Sequence, residues 1–79
     1  MTMREKVAEL NPEAIVWDDL DEAIIGLTTN GQAVYDINII HEILMSQSEM
    51  TLDEAIEYAE YNILSAHMGD FTPVHIIKF

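Results

Sequence analysis

The sequence contains no cysteine, and Arg4, Lys6 and Lys78 are its only basic residues apart from histidine. The lack of cysteine excludes disulfides and thiolate metal sites and fits a reducing compartment, so we expect the protein in the cytoplasm. No stretch approaches the run of about eighteen apolar residues that a membrane span requires. The N-terminal stretch MTMREKVAELNPE has no apolar core of signal-peptide length. We therefore expect neither membrane insertion nor export.

Basic residues are absent between Lys6 and Lys78, a stretch that holds fourteen of the fifteen carboxylate side chains. The formal net charge is -12, so a folded domain carries self-repulsion that a surface of mixed charge would avoid. Such a surface is repelled by nucleic-acid phosphates and by anionic lipid headgroups. The composition therefore favours basic proteins as partners and argues against direct nucleic-acid or membrane binding.

Length and hydrophobic content predict one small folded domain covering residues 1 to 79. A hydrophobic fraction of 49% argues against disorder, which so high a net charge would otherwise favour. A chain of 79 residues is near the lower limit for an adequate core without disulfides or metal. Homo-oligomerisation is therefore an open alternative.

Turn signals divide the first half of the chain. Asn11-Pro12 predicts the end of a helix over about residues 3 to 10. A short β-prone run at residues 14 to 17 is followed by an acidic loop at residues 18 to 22. Residues 23 to 29 and 32 to 35 are predicted strands of a hairpin, because the intervening Asn30-Gly31 suits a type I′ turn.

Capping signals place two helices in the second half. Asp36 is the expected N-cap of a mostly buried helix over residues 37 to 45. Thr51 and Glu54 form a capping box for an amphipathic helix that we expect to continue to Met68-Gly69. Thr72-Pro73 then begins a final strand, residues 74 to 79, which is apolar on both faces and is therefore predicted to be central in the sheet or part of a subunit contact. The predicted fold is α+β: a small antiparallel sheet with a β-hairpin and two helices packed on one face.

The segment from Thr51 to Ala66, with Gly69 and Thr72-Pro73, resembles a family of small acidic bacteriophage proteins. The shared pattern is an acidic helix ending in E-Y/F-N-x-x-x-A, followed by G-x-x-T-P-x. Residues 21 to 26 and 33 to 36 also resemble that family, so the likeness covers most of residues 21 to 76. It implies a phage accessory protein that acts in the cytoplasm of the infected host. It transfers no catalytic residue and leaves residues 1 to 20 unmatched.

The predicted acidic helix provides the first candidate binding surface. Asp53, Glu57 and Glu60 fall on one stripe, where helical geometry spaces neighbouring carboxylates by roughly 5–6 Å. Such a row can imitate a nucleic-acid backbone and occupy a basic groove. The alternative, more common for a charge run, is a solvated helix face. The absence of interleaved lysine or arginine favours the functional interpretation, because an ordinary helix gains stability from such pairs.

A second candidate is the acidic loop beside Trp17, which contains Asp18, Asp19, Asp21 and Glu22. An exposed tryptophan beside acids can anchor an arginine-rich partner, although core packing is its more common fate. The same acids could bind a hard cation such as calcium, but their spacing is not that of an EF-hand loop. A solvated loop is the simpler expectation, and we expect no metal or cofactor.

Tyr58 and Tyr61 flank the acidic stripe of the predicted helix and are candidate contact residues, with core packing as the more common alternative. The three histidines are too scattered for a helix-spaced zinc pair. No nucleophile-elbow or phosphate-binding glycine motif is present. We therefore expect no enzyme activity.

The favoured hypothesis is an acidic accessory protein that binds a basic site on a host protein, with nucleic-acid mimicry as the mode of inhibition. The alternative is a homo-oligomeric structural or assembly module whose acids serve solubility.

Overall fold

The computed structural model describes residues 2 to 79 and contains helices around a three-stranded mixed sheet. The elements are α1 (Met3–Leu10), β1 (Ile24–Leu27), β2 (Ala33–Asp36), α2 (Ile37–Gln47), α3 (Leu52–Ala59) and β3 (Val74–Ile76). The predicted α+β class is confirmed. The β-prone run at residues 14 to 17 does not form a strand, and its Ile15 N–H donates to Phe71 O.

The hairpin of β1 and β2 forms, but its turn differs from the predicted type. Only Gly31 has a positive φ, +92°, whereas a type I′ turn requires positive φ at Asn30 as well. The Gly31 N–H donates to Thr28 O, and the Thr28 N–H donates to Gln32 O. This pattern is that of a three-residue hairpin loop with glycine in the left-handed position.

Strand β3 is parallel to β2 and lies at an edge of the sheet, whose order is β1-β2-β3. The predicted antiparallel pairing is therefore confirmed only for the hairpin, and of the two alternatives for the last strand, a central position in the sheet is wrong. Parallel pairing requires a long crossover connection, and here α2 and α3 lie between the two strands. The register places His75 beside Tyr35.

Both helix-start predictions of the second half are confirmed by hydrogen bonds. Asp36 accepts from the Asn38 N–H, and Thr51 and Glu54 form the reciprocal capping box. Helix α3 is shorter than predicted and continues as a π turn, Glu60–Leu64. The side chains of Asn62 and Ser65 donate to the carbonyls of Tyr58 and Tyr61, four residues earlier. Such bonds compete with helical backbone pairing and explain why the regular helix ends early.

The core lies between the sheet and α2, and α3 packs chiefly on α2. Tyr35 and Ile40 are its largest fully buried side chains. On α3 only the small residues Ala55 and Ala59 are buried, and Ile63 follows in the π turn. The narrow buried stripe leaves most of the α3 surface exposed.

Candidate functional site

The described structure places Trp17 and Tyr58 in the wall of one groove, although 41 positions separate them in the sequence. The groove has a volume of about 290 Å³. It is lined by the 17–20 loop, the end of α2, α3 and the helical segment after α3 through these residues: Trp17, Asp18, Asp19, Leu20, Ile43, Leu44, Gln47, Ser48, Tyr58, Asn62 and Ile63. The lining combines buried apolar side chains with the exposed Asp18 and Asp19.

A shallow depression adjoins this groove on the outer side of α3. Glu54, Glu57 and Tyr61 line it together with Met50, and Tyr58 and Asn62 belong to both concavities. Tyr58 therefore connects the two surfaces that the sequence predicts separately. We call the combined region, formed by Trp17, Asp18, Asp19, Glu54, Glu57, Tyr58 and Tyr61, the acidic surface.

Not every predicted contact residue belongs to the acidic surface. Asp53 and Glu60 are exposed on the same helical segment but line neither concavity. Asp21 and Glu22 line a third opening together with Arg4, and this opening shares Asp18, Asp19 and Gln47 with the groove. The core alternative is wrong for Tyr58 and Tyr61, which are 42% and 75% exposed.

Trp17 is half-buried and is held by three hydrogen bonds. Its backbone N–H donates to Tyr35 Oη at 2.8 Å, and its carbonyl accepts from Arg4 Nη2 at 2.9 Å. The indole Nε1–H donates to His75 Nε2 at 2.9 Å. The indole position is thus fixed by α1, β2 and β3 together.

Burial lowers the pKa of His75 and raises the pKa of Tyr35. Because His75 Nε2 accepts a hydrogen bond from Trp17, it carries no proton, and the imidazole is neutral with its proton on Nδ1. Protonation of Nε2 would place two donors against each other. The fixed indole therefore depends on neutral His75.

Arg4 neutralises part of the acidic loop, which the sequence did not predict because Arg4 and Asp21 lie 17 positions apart. Its Nε donates to both carboxylate oxygens of Asp21, at 3.0 and 3.2 Å, and its Nη2 lies 3.5 Å from Asp18. The hydrogen bond to Asp21 is the largest cause of a raised pKa of Arg4. Within residues 2 to 79, Asp18 and Asp21 are the only carboxylates in an ion pair.

Asp19 adopts a left-handed backbone conformation, with φ of +63°, which aspartate tolerates better than most residues. On α3 the pKa of Glu54 is lowered, chiefly because its carboxylate accepts the Thr51 backbone N–H. Glu54 is therefore explained by capping, whereas Glu57 makes no such bond in the described chain. Glu57, Asp18 and Asp19 are the carboxylates of the acidic surface most available to a partner.

The described residues contain no group of three or more histidine or acidic side chains arranged to hold a metal ion. Between residues 2 and 79 no helix is both long and apolar enough to cross a membrane. No protein-family model, curated protein or solved structure matches this chain.

Proposed function

We propose that this chain is a non-enzymatic, phage-type accessory protein that binds a basic site on a host protein through the acidic surface. One observation supports this most directly. Tyr58 lines both the Trp17 groove and the depression that contains Glu54 and Glu57, so that aromatic and acidic residues form one continuous region. Aromatic residues supply contact area, and unpaired carboxylates supply charge complementarity.

Occlusion is the proposed mechanism. Asp53 and Glu60 extend the acidic surface from Glu57 along the same helical segment. All three are exposed, and helical geometry spaces neighbouring carboxylates by roughly 5–6 Å. A basic groove that binds nucleic-acid phosphates would accept this row in their place. The likeness to small acidic phage proteins is the ground for placing the partner in a bacterial host.

Salt dependence tests this function. The tagged full chain would recover a basic partner from bacterial lysate at low salt, and the affinity of the purified pair would then be measured over a salt series. We expect the affinity to fall about tenfold or more between roughly 0.05 and 0.3 M salt, because charge pairing at a surface is screened. Affinity that is independent of salt would contradict the proposal, as would failure of nucleic acid to compete for the partner.

The edge position of β3 favours a second candidate function, self-assembly through this strand. One side of β3 is unpaired, and the exposed apolar residues Ile76, Ile77 and Phe79 lie in or just after it. Residues 71 to 79 contain no acidic side chain, so two copies can meet there without opposing carboxylates. The fitting occupant is a second copy of this chain, paired strand to strand.

Mass measurement in solution tests this candidate. We expect a dimer or larger assembly for the parent chain and a monomer for Ile77→Lys, because lysine at a strand edge opposes pairing. Leu10→Lys, which makes the same change at an exposed apolar residue of α1, is the control and should leave the mass unchanged. A monomeric parent chain at every concentration would contradict self-assembly.

A further inference from the structure

We propose that the groove between Trp17 and Tyr58 binds one arginine side chain of the partner protein. This inference rests on the proposed function and names the chemical group that the acidic surface takes. Three observations support it: the size and lining of the groove, the negative charge of that lining, and a guanidinium that the adjoining loop already binds.

The groove suits a single long side chain. Its volume of about 290 Å³ lies just below the usual range of small-molecule sites. Leu20, Ile43 and Leu44 are buried and line the groove, and the methylene stem of an arginine can pack against such apolar side chains. Trp17 and Tyr58 supply aromatic rings, to which guanidinium groups are attracted.

Two features of the groove lining favour a cation. Asp18 and Asp19 line the groove, and both are exposed. The C-terminal end of α2 also lines it through Gln47 and Ser48, and this helix has no basic residue in its last turn. The carbonyl end of a helix carries partial negative charge and attracts cations.

The loop that carries Asp18 and Asp19 already binds one guanidinium, that of Arg4. Arg4 pairs with Asp21 through Nε and donates from Nη2 to the carbonyl of Trp17. Its pairing leaves Asp19 without a basic partner in the described chain, and the side chain of Asp18 remains 94% exposed. The loop therefore shows affinity for this chemical group and retains carboxylates for a second one.

Arginine fits this site better than lysine. Its planar group offers five donors and stacks on aromatic faces, whereas lysine carries a compact and strongly hydrated charge. The groove presents several separated acceptors, the two carboxylates and the amide oxygens of Gln47 and Asn62. Three hydrogen bonds hold Trp17 in place before binding, so less conformational entropy is lost when a partner binds.

The test uses the full chain and the peptide Gly-Gly-Arg-Gly-Gly, with lysine and citrulline peptides as comparisons. Binding is followed by the NMR signal of the Trp17 indole N–H, which is unique because the chain has one tryptophan. We expect the arginine peptide to bind about tenfold more tightly than the citrulline peptide, which keeps the shape and loses the charge, and more tightly than the lysine peptide. Equal binding of arginine and citrulline peptides, or of arginine and lysine peptides, would overturn the inference.

Two variants on α3 locate the site. Tyr58→Ala should weaken arginine binding about tenfold, because it removes one wall of the groove. Leu52→Ala shortens an exposed apolar side chain of the same helix that lines neither concavity, and it should leave binding unchanged. Equal effects of the two variants would place the peptide elsewhere and overturn the inference. If the arginine peptide fails to bind while the purified basic partner still binds in a salt-dependent manner, the groove proposal is wrong and the proposed function stands. Salt-independent partner binding would instead refute the proposed function, whatever the peptide does.

Discussion

Trp17 shows how single residues prepare the acidic surface. A tryptophan beside acids is ambiguous in sequence, because core packing, its more common fate, and partner contact both fit the pattern. In the structure the residue packs against the core and also lines the groove. Its orientation depends on His75, which lies 58 positions away and accepts the indole N–H.

This dependence predicts a pH effect at His75. Its pKa in the folded chain is lowered from 6.5 by burial, so the unfolded chain binds the proton more readily. The stability contribution of neutral His75 is therefore fully present above about pH 6.5 and is lost as the pH falls through the folded-state pKa. We expect Trp17 fluorescence to change over the same interval, together with a loss of stability on the order of 1 kcal/mol for the broken hydrogen bond.

His75→Gln is the informative variant, because glutamine can accept the indole hydrogen bond and does not titrate. It should remove the fluorescence change in this pH interval, whereas His67→Gln, the same substitution at an exposed histidine, should retain it. A fluorescence profile unaffected by His75→Gln would show that Trp17 does not depend on the imidazole.

At the scale of elements, local signals predicted where helices and turns begin. The capping residues Asp36, Thr51 and Glu54 make the hydrogen bonds expected of them, because a cap is specified by residues close in sequence. Local signals were less reliable about how elements end. The regular part of α3 ends at Ala59, because the Asn62 side chain donates to a carbonyl of the helix. The turn at Gly31 also differs from the predicted type I′ turn.

The hairpin turn gives a prediction at this scale. Gly31 has φ of +92°, and a Cβ added there would lie 2.6 Å from Asn11 Nδ2, which donates to Gly31 O. We expect Gly31→Ala to lower the free energy of unfolding by more than about 1 kcal/mol, measured by denaturant titration. Gly26→Ala is the matched control in β1, where an added Cβ meets nothing within 4 Å. It should change stability by less than about 0.5 kcal/mol, and equal effects at the two glycines would contradict this account of the turn.

At the scale of the whole molecule, the groove and the parallel strand could not be derived from sequence patterns. Tyr58 and Trp17 line one groove only because α3 packs back on α2. Strand β3 pairs with β2 only because the crossover that contains both helices connects them. Charge was predictable because it is a property of composition. The structure adds that Arg4 pairs closely with Asp21 and lies 3.5 Å from Asp18, which stays 94% exposed. Asp19 and Glu57 have no basic partner in the described chain.

We expect partner binding to depend on the position of the acids and not on net charge alone. Two double variants with the same change in charge separate these explanations: Glu57→Lys with Glu60→Lys on the α3 segment, and Glu9→Lys with Glu13→Lys on exposed sites in and after α1. The affinity of each for the purified basic partner is the most direct measurement. We predict a loss of about tenfold or more for the α3 pair and a much smaller loss for the α1 pair, with both variants folded. Equal losses for the two pairs would contradict this expectation and would show that the acidic surface acts only through net charge.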